Sequence, residues 1–313
     1  MQRELTVGEE AAGERLDVFL APHAGSRAAA QRLIDGGHVT VDGERRAKRQ
    51  VLAGGEVVRM EEPGGLEAGV AVPDARFEIA WEDEHLIVVD KPAGVVVHPA
   101  RGHRRGTLAQ ALADRAAGGE HPERRGIVHR LDRDTSGLLV VARSEEVHAA
   151  LKAQLKAREL VREYLALVEG RPPARRGTID APLGRDRRVR TRISTDTEDP
   201  RAAITHFEVE RAFPQDTLLR VRLETGRTHQ IRSHLLAIGH PVAGDPEYGS
   251  RGRHGLERQF LHAARLAFRH PVSGDAIEVT SPLPEDLAAA LERAANAGRS
   301  TGGRGREGRP ART

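Results

Sequence analysis

The sequence contains no cysteine, and this absence removes several classes of function. Without thiols the chain can form no disulfide framework, no cysteine-ligated zinc or iron–sulfur centre and no thiol nucleophile. Long hydrophobic runs are also missing. The longest, such as Leu138 to Ala142, are the length of a strand and far too short to cross a bilayer. The start, Met1 to Leu5, lacks a signal-peptide segment. We therefore expect a cytoplasmic protein without a membrane partner.

Lysine is scarce, and the charges nearly balance. Lys and Arg total 49 against 46 Asp and Glu, a net charge of +3, which by itself does not predict a nucleic-acid partner. Arginine supplies most of the positive charge, and guanidinium groups bind phosphate in pairs of hydrogen bonds and stack on bases. A coding bias toward Arg, Ala and Gly accounts for most of this composition. Evidence for the function therefore has to come from motifs.

The length of 313 residues suits one large domain and one small one. A small α/β domain is predicted over residues 14–62, in which two short helices precede a pair of strands. Ser26 is a suitable N-cap for the second helix, and Gly36-Gly37 ends it. The predicted helices cover residues 15–20 and 27–34, and the predicted strands cover residues 38–41 and 56–60.

A Gly-, Glu- and Pro-rich stretch, residues 63–73, is a natural linker to a larger domain over residues 74–295. Its strand-heavy pattern predicts an α+β fold with a largely antiparallel mixed sheet, flanking helices and a central cleft. Residues 296–313 are rich in Arg and Gly, so we expect a disordered tail. The predicted strands are 86–89, 95–98, 138–142, 164–169, 205–210 and 218–223, and the predicted helices are 107–117, 145–156, 228–238 and 287–295.

A polar stretch between two apolar segments is the strongest candidate for a functional loop. Gly126-Ile127-Val128 leads into His129-Arg130-Leu131-Asp132-Arg133-Asp134-Thr135-Ser136-Gly137, and an apolar strand follows. Loops held by a rigid scaffold often carry active sites. A polar hairpin loop would look similar, so this segment alone leaves the question open.

Three other segments place further reactive side chains in the larger domain. They are Asp90-Lys91-Pro92-Ala93-Gly94, Arg162-Glu163-Tyr164-Leu165-Ala166 and Glu224-Thr225-Gly226-Arg227-Thr228-His229-Gln230-Ile231-Arg232. The last opens a predicted helix with four strong hydrogen-bond donors, and a helix start also favours anions. No glycine-rich nucleotide-binding motif lies between a strand and a helix.

Together these four segments resemble the signature blocks of the RluA/RluD branch of ribosomal RNA pseudouridine synthases. The blocks occur in that family's order, and Gly239-His240-Pro241-Val242-Ala243-Gly244-Asp245 also fits. Residues 14–62 resemble the small αL-type RNA-binding domain that often precedes this catalytic domain. The resemblance implies isomerisation of uridine to pseudouridine, most naturally in large-subunit (23S) ribosomal RNA. The glycosidic bond breaks, the base turns, and it is rejoined through C5, so no cofactor or metal is expected.

The resemblance also implies roles for single residues. Asp132 is the essential carboxylate, Arg232 its cationic partner, and Tyr164 stacks on the target base. Arg130 helps to extrude the nucleotide and fills the space that it leaves. Whether Asp132 attacks the ribose or the base stays open, and Asp134 is the competing carboxylate.

Further candidates surround these residues, although support of the loops is an equal alternative for several of them. The candidates for substrate binding are Lys91, His129, Thr135, Arg227, His229 and Gln230. The candidates for RNA binding in the small domain are Arg27, Arg32, Arg45, Arg46, Lys48 and Arg49. The expected partner is ribosomal RNA, and the expected state is a monomer.

Other functions fit the sequence less well. A hydrolytic metalloenzyme would need a ligand set, yet His229 and His234 are five residues apart and no H-E-x-x-H motif occurs. A catalytically silent RNA-binding assembly factor should have lost the key Asp, Tyr or Arg, and all three are present. The same chemistry on tRNA is the remaining alternative.

Overall fold

The computed structural model describes residues 2–24, 27–61, 77–99 and 105–297. Its contacts divide the chain into two compact units, Met1–Ala71 and Val72–Thr313. The predicted N-cap Ser26, the predicted linker and nearly all of the predicted tail lie outside the described residues.

The smaller unit packs two helices against a three-stranded antiparallel sheet with the strand order β1-β3-β2. The core of this unit consists of small and medium apolar side chains such as Leu16, Val39 and Met60. The first strand was not predicted. The elements are β1 (Gln2–Thr6), α1 (Leu16–Phe19), α2 (Arg27–Asp35), β2 (Val39–Val41) and β3 (Val57–Glu61).

The larger unit is built on a long mixed sheet. Its strands are β4 (Glu78–Glu82), β5 (Leu86–Lys91), β6 (Ser136–Ala142), β7 (Val161–Glu169), β8 (Arg176–Asp180), β9 (Gly184–Arg185), β10 (Ile193–Ser194), β11 (Ile204–Ala212), β12 (Asp216–Leu223), β13 (Leu261–Arg269) and β14 (Ala276–Thr280). Its helices are α3 (Leu108–Ala111), α4 (Glu145–Ala157), α5 (Gln230–Ala237) and α6 (Glu285–Asn296).

Within the described residues, the main sheet has nine strands in the order β4-β5-β6-β13-β7-β12-β11-β8, with β14 also paired to β13. Only the pairing of β6 with β13 is parallel among the described strands. The prediction of an α+β fold with a largely antiparallel mixed sheet is therefore confirmed. Strands β4, β8, β13 and β14 were not predicted. In β8 only one side chain of five is buried, so there is no apolar alternation to detect, whereas the alternation of Ile277 and Val279 with polar residues in β14 was a signal that was not used.

The central strands are buried on both faces. Along β5, Ile87 and Val89 enter one apolar cluster, whereas Leu86 and Val88 enter another. This division follows from the period of two along a strand. Helix α4 packs on the second cluster through Val147 and Leu151, and α6 packs on the first. The rigid centre of the sheet therefore carries the segments on either side of the polar loop.

Two predicted elements differ from the structure. The predicted strand at residues 95–98 is wrong, because its carbonyls do not join a ladder. The oxygens of Val96 and Val97 accept hydrogen bonds of 2.9 Å from Leu108 and Ala109 at the start of α3. The predicted helix at residues 107–117 is shorter than expected. It gives way after Ala111 to turns closed by bonds between residues three apart, such as Arg115 N–H to Leu112 O.

Candidate active site

The polar loop is anchored at both ends and by its central leucine. Leu131 is buried in the core, whereas Arg130 is exposed and Asp132 is half-buried. The N–H of Thr135 donates to the Asp132 carbonyl at 3.2 Å, which closes a turn. The buried Thr135 hydroxyl accepts a hydrogen bond from Gln259. The loop thus presents the Asp132 carboxylate toward a cleft while its neighbours fix the backbone.

Lys91 is fully buried beneath this loop. Its ammonium group donates to the carbonyls of Pro92, Val95 and Arg133 at 2.8 to 2.9 Å. Burial lowers the pKa of Lys91 to about 7, against the opposing charges of Asp134 and Asp132. Three carbonyl acceptors need three N–H donors, which only the charged amine supplies. The contacts of Lys91 therefore tie the loop after β5 to the polar loop.

His129 is buried at the start of the polar loop. Its Nε2 accepts a hydrogen bond from the Val140 N–H at 3.2 Å, so this nitrogen carries no proton. Burial, with the charges of Arg162 and Lys152, lowers the pKa of His129 to about 3. A neutral imidazole that bonds to a strand backbone supports the loop, which is one of the two roles left open by the sequence.

Arg232 lies in α5 and is brought to Asp132 from one hundred residues away. Its Nη1 donates to Asp132 Oδ2 at 3.3 Å, and its side chain is 6% exposed. Shorter bonds of 2.6 and 2.9 Å join its Nε and Nη2 to the fully buried Asp245, and Nη2 also contacts Glu247 at 3.4 Å. Burial opposes the charged form, but the bonds to Asp245 and the carboxylate charges outweigh it and raise the pKa of Arg232. Arg232 is therefore a permanent cation.

Tyr164 lies on β7 with its ring buried. Burial raises the pKa of its phenol, helped by the charge of Asp132, although Arg162 opposes the shift. The phenol is therefore neutral near pH 7 and can donate a hydrogen bond. Its apolar ring is a surface on which a base can stack.

The predicted residues of the larger unit fall around one cleft. Asp132 lines two adjoining cavities of about 320 and 40 Å³ and a groove of about 900 Å³. The predicted residues that line the smallest cavity with Asp132 are Arg130, Thr135, Tyr164, Arg227, His229, Gln230 and Arg232. His129 lines the groove, and Lys91 lies below the loop. The structure thus brings together side chains that are far apart in the sequence.

Gln230 is fully engaged within the protein. Its amide nitrogen donates to Ile204 O and Thr205 Oγ1, and its oxygen accepts from Thr225 and Arg227. His229, just before α5, has a left-handed backbone with φ of 51° and contacts the Tyr248 hydroxyl through Nδ1 at 3.0 Å. The contacts of Gln230 and His229 favour support of the loop, while the exposed Arg227 is better placed for substrate.

The two carboxylates of the polar loop differ in their partners. Asp134 is bonded in bidentate fashion to the neighbouring Arg133 at 2.9 Å, on the surface. Asp132 faces the cleft and contacts Arg232. Arg130 also lines the cleft, and among the described residues no side chain pairs with its guanidinium. These contacts favour Asp132 over Asp134 as the reactive group.

Several residues at the site were not assigned from the sequence. Asp245, Glu247 and Tyr248 surround Arg232, with the Tyr248 ring 4.8 Å from its guanidinium carbon. His98 is buried in the cleft wall, and burial with the charge of Arg130 lowers its pKa to about 4. Asp245 ends the segment Gly239 to Asp245, which fits the family pattern, but no local signal in the sequence shows that its side chain meets Arg232.

In the smaller unit the predicted basic residues have unequal surroundings. Arg27 bonds to the buried Asp17 at 3.1 Å, Arg46 pairs with Glu44, and Lys48 pairs with Asp35. Arg45 and Arg49 are exposed, and the described residues offer neither an ion-pair partner. The side chain of Arg32 lies outside the description. Arg45 and Arg49 are consequently the cations most available to phosphate.

Two kinds of feature are absent from the described residues. No three His, Asp or Glu side chains there come close enough together to form a cation site. No helix among them has the length and apolarity needed to span a bilayer.

The sequence matches known families in both units. Residues 85–237 match the RNA pseudouridylate synthase family, and residues 14–58 match the S4 domain. A Chloroflexus aurantiacus protein named as an uncharacterized RNA pseudouridine synthase is 47% identical over 300 residues, covering 93% of each chain. The ribosomal large subunit pseudouridine synthase D of Nitrosomonas europaea is 44% identical, covering 94% of this chain and 88% of its own.

A solved structure has the same fold. Human RNA pseudouridylate synthase domain containing 1 is 27% identical with a TM-score of 0.55, covering 72% of this chain and 96% of its own. A chain with an S4 domain and an RNA pseudouridylate synthase domain belongs to the class of RNA-modifying enzymes. The chain belongs to the RNA pseudouridine synthase family.

Proposed function

We propose that the protein converts specific uridines of large-subunit ribosomal RNA to pseudouridine, with Asp132 as the essential carboxylate. The observation that carries this proposal is the contact of 3.3 Å between Asp132 and Arg232 in a cavity that Tyr164 also lines. Relatives named ribosomal large subunit pseudouridine synthase D, 42% to 44% identical, support the choice of RNA.

The chemistry asks little of the protein beyond charge and position. The Arg232 guanidinium places a positive charge 3.3 Å from the Asp132 carboxylate, in a cleft that a bound base would cover. The C1′–N1 glycosidic bond then breaks as the carboxylate attacks the ribose or the base, or assists departure of uracil. The freed base turns and C5 bonds to C1′, with release of any bond to Asp132. The proton lost from C5 balances the proton gained at N1. The Tyr164 ring holds the base, and its neutral phenol donates a hydrogen bond or relays a proton.

Base flipping needs a side chain to take the place of the extruded nucleotide. Arg130 is exposed at the rim of the cleft, two residues from Asp132, and is free of partners among the described residues. In this proposal it occupies the gap in the RNA. The S4 unit, predicted at residues 14–62, adds phosphate contacts through its basic residues.

The test compares two carboxylates of one loop. Unmodified large-subunit rRNA is incubated with wild-type protein, Asp132→Asn or the matched control Asp134→Asn, without added cofactor, and pseudouridine is mapped by position. We expect Asp132→Asn to lower the rate by at least about a thousandfold, because removal of a covalent or charged catalyst usually has an effect of that order. Binding of the RNA should persist.

The control should keep most of its activity, since Asp134 pairs with Arg133 at the surface. Full activity of Asp132→Asn would refute the role of Asp132. Modification of tRNA but not of rRNA would refute the proposed substrate while leaving the chemistry intact.

A further inference from the structure

Arg162 is a buried cation without a counter-charge. It is 5% exposed at the second position of β7, and the described residues place no carboxylate within ion-pair distance of it. Its Nη2 makes two long contacts, 3.4 Å to Leu223 O and 3.5 Å to Thr225 O, and its buried Nε has no partner. Burying an unpaired charge is strongly unfavourable, so Arg162 requires an explanation.

Other buried arginines of this protein are treated differently. Arg232 bonds to both oxygens of Asp245, and Arg258 bonds to both oxygens of Asp286. Burial lowers the pKa of Arg162, whereas carboxylates raise that of Arg232. Arg162 thus lacks the kind of partner that these two arginines have.

The surroundings of Arg162 suit an anion from outside. It lines the groove of about 900 Å³, whose described lining also includes the exposed cations Lys152 and Lys156 of α4. Of the two acidic groups in that lining, Glu224 is already paired with Arg158 and His206, and Asp132 contacts Arg232. The groove is therefore positively charged around an unsatisfied guanidinium.

The neighbouring loop leaves space for this guanidinium. A Cβ atom at Gly226 would lie 2.9 Å from Arg162 Nη1, which is closer than real contacts allow. Among the described residues, nothing bonds to Nη1. Glycine thus lets the guanidinium lie close to this loop, and any side chain at this position would require the guanidinium to shift.

We propose that Arg162 binds a phosphodiester of the substrate RNA, beside the nucleotide that is modified. A guanidinium donates to two phosphate oxygens at once. Arg162 and Tyr164 lie two residues apart on one face of β7, about 6.6 Å along the strand. The phosphate therefore belongs to the nucleotide that faces Tyr164 or to its neighbour. This inference rests on the proposed function and names the RNA contact made at that site.

The first experiment measures folding and RNA binding together in the full-length chain. The variants are Arg162→Met, Arg162→Lys and, as a control that removes an exposed arginine outside the groove lining, Arg211→Met. The probe is unmodified large-subunit rRNA, and affinity is measured across a series of salt concentrations. The free energy of unfolding is measured in urea.

We expect Arg162→Met to weaken binding about tenfold, the loss typical of one charge-assisted contact. The slope of log affinity against log salt should become shallower by about 0.7, as for one lost phosphate contact on single-stranded RNA. Its free energy of unfolding should not fall, because an unpaired buried charge has been removed. Arg162→Lys should keep most of the slope, and the control should keep all of it. An unchanged slope for Arg162→Met overturns the proposal, whatever happens to stability.

The second experiment locates the phosphate. Single linkages of a single-stranded RNA oligonucleotide that the wild-type protein binds are replaced one at a time by uncharged methylphosphonate. We expect one linkage whose replacement weakens binding of the wild-type protein but not of Arg162→Met. Equal effects on both proteins at every linkage would contradict the proposal. Pseudouridine formation by the wild-type protein is followed separately on rRNA, so failure of the proposed function is distinguished from failure of the phosphate site.

Discussion

At the scale of single residues, one guanidinium serves three carboxylates. The shortest bonds of Arg232 go to Asp245, while Glu247 and Asp132 are contacted at 3.4 and 3.3 Å. Because Asp245 fixes the fork of the guanidinium, only Nη1 is left for Asp132. Asp132 thus has a cation beside it without being held in a bidentate pair. The position of Arg232 depends on Asp245 as much as on its own helix.

The buried His129 makes stability depend on pH. Burial lowers its pKa from 6.5 to about 3, so the folded protein keeps it neutral while the unfolded chain protonates it below pH 6.5. Its contribution is complete above pH 6.5 and is lost as the pH falls from there toward 3, with a limiting slope of about 1.4 kcal/mol per pH unit. Replacing His129 with Gln, whose amide oxygen can also accept the Val140 N–H, should lower by one the number of protons taken up on unfolding at acidic pH. The free energy of unfolding should then fall less steeply as the pH is lowered.

The measurement is the free energy of unfolding in urea at several pH values from about 4 to about 7.5, which covers most of the interval of loss and extends above it. The matched control is His121→Gln at the exposed His121, which should keep the wild-type slope. A His129→Gln protein with the wild-type slope would show that His129 is not held neutral in the folded state.

At the scale of elements, the site depends on the junction of β6 and β13. The polar loop ends where β6 begins, and the two parallel strands meet only at Ser136–His262 and Gly137–Ala263. A buried hydrogen bond of 3.0 Å joins Ser136 Oγ to His262 Nδ1. The short junction therefore fixes the end of the loop that carries Asp132.

At Gly137 the backbone of β6 lies directly against the backbone of β13. Its φ is +109°, and a Cβ would lie 2.3 Å from the Ala263 carbonyl oxygen. We expect Gly137→Ala to lower the free energy of unfolding by at least about 3 kcal/mol, because strain in the backbone adds to a clash that a backbone atom cannot avoid. Urea unfolding measures the change, and pseudouridine formation should fall with it.

Gly274→Ala is the matched control. Gly274 also has a positive φ, +78°, but a Cβ atom added there would have no contact within 4 Å. It should lose only about 1–2 kcal/mol, the penalty for a left-handed non-glycine residue. Equal losses in the two variants would mean that the approach of β6 to β13 is not the limiting contact.

At the scale of the whole molecule, the two units contribute different things to an RNA enzyme. The larger unit holds the cleft, and the S4 unit holds a set of basic side chains whose charges are only partly neutralised. A net charge of +3 cannot attract RNA strongly, so affinity must come from local clusters. The balance of charge within each cluster therefore matters more than the total.

The S4 unit offers a matched pair of variants. Arg45→Gln/Arg49→Gln removes two exposed cations, whereas Arg46→Gln/Lys48→Gln removes two that pair with Glu44 and Asp35. We expect the first to flatten the salt dependence of rRNA binding by up to about 0.7 to 0.9 for each lost phosphate contact, and the second to change it less. Binding measured across salt concentrations checks this. If neither variant changes the slope, these residues do not contact phosphate.

The order of local motifs already determined a great deal. Strand-sized apolar segments around a polar loop predicted the scaffold, because a period of two and turn residues are local properties. The motif that contains Asp132 and the later helix with Arg232 indicated the class of enzyme. The strand at residues 95–98 could not be judged in this way, since apolar content does not reveal where its carbonyls bond.

The tertiary structure decided which charges meet. Asp245 holds Arg232 beside Asp132. The ammonium group of Lys91 donates all its hydrogen bonds to three carbonyl oxygens, and Arg162 is buried without a carboxylate partner among the described residues. The contact between Arg232 and Asp132 joins residues one hundred positions apart, and the contact between Lys91 and Arg133 joins residues 42 positions apart. Local patterns carry no information on such distances, so only the packed structure distinguishes a cation paired with carboxylates, a cation bound by carbonyls and a cation without a carboxylate.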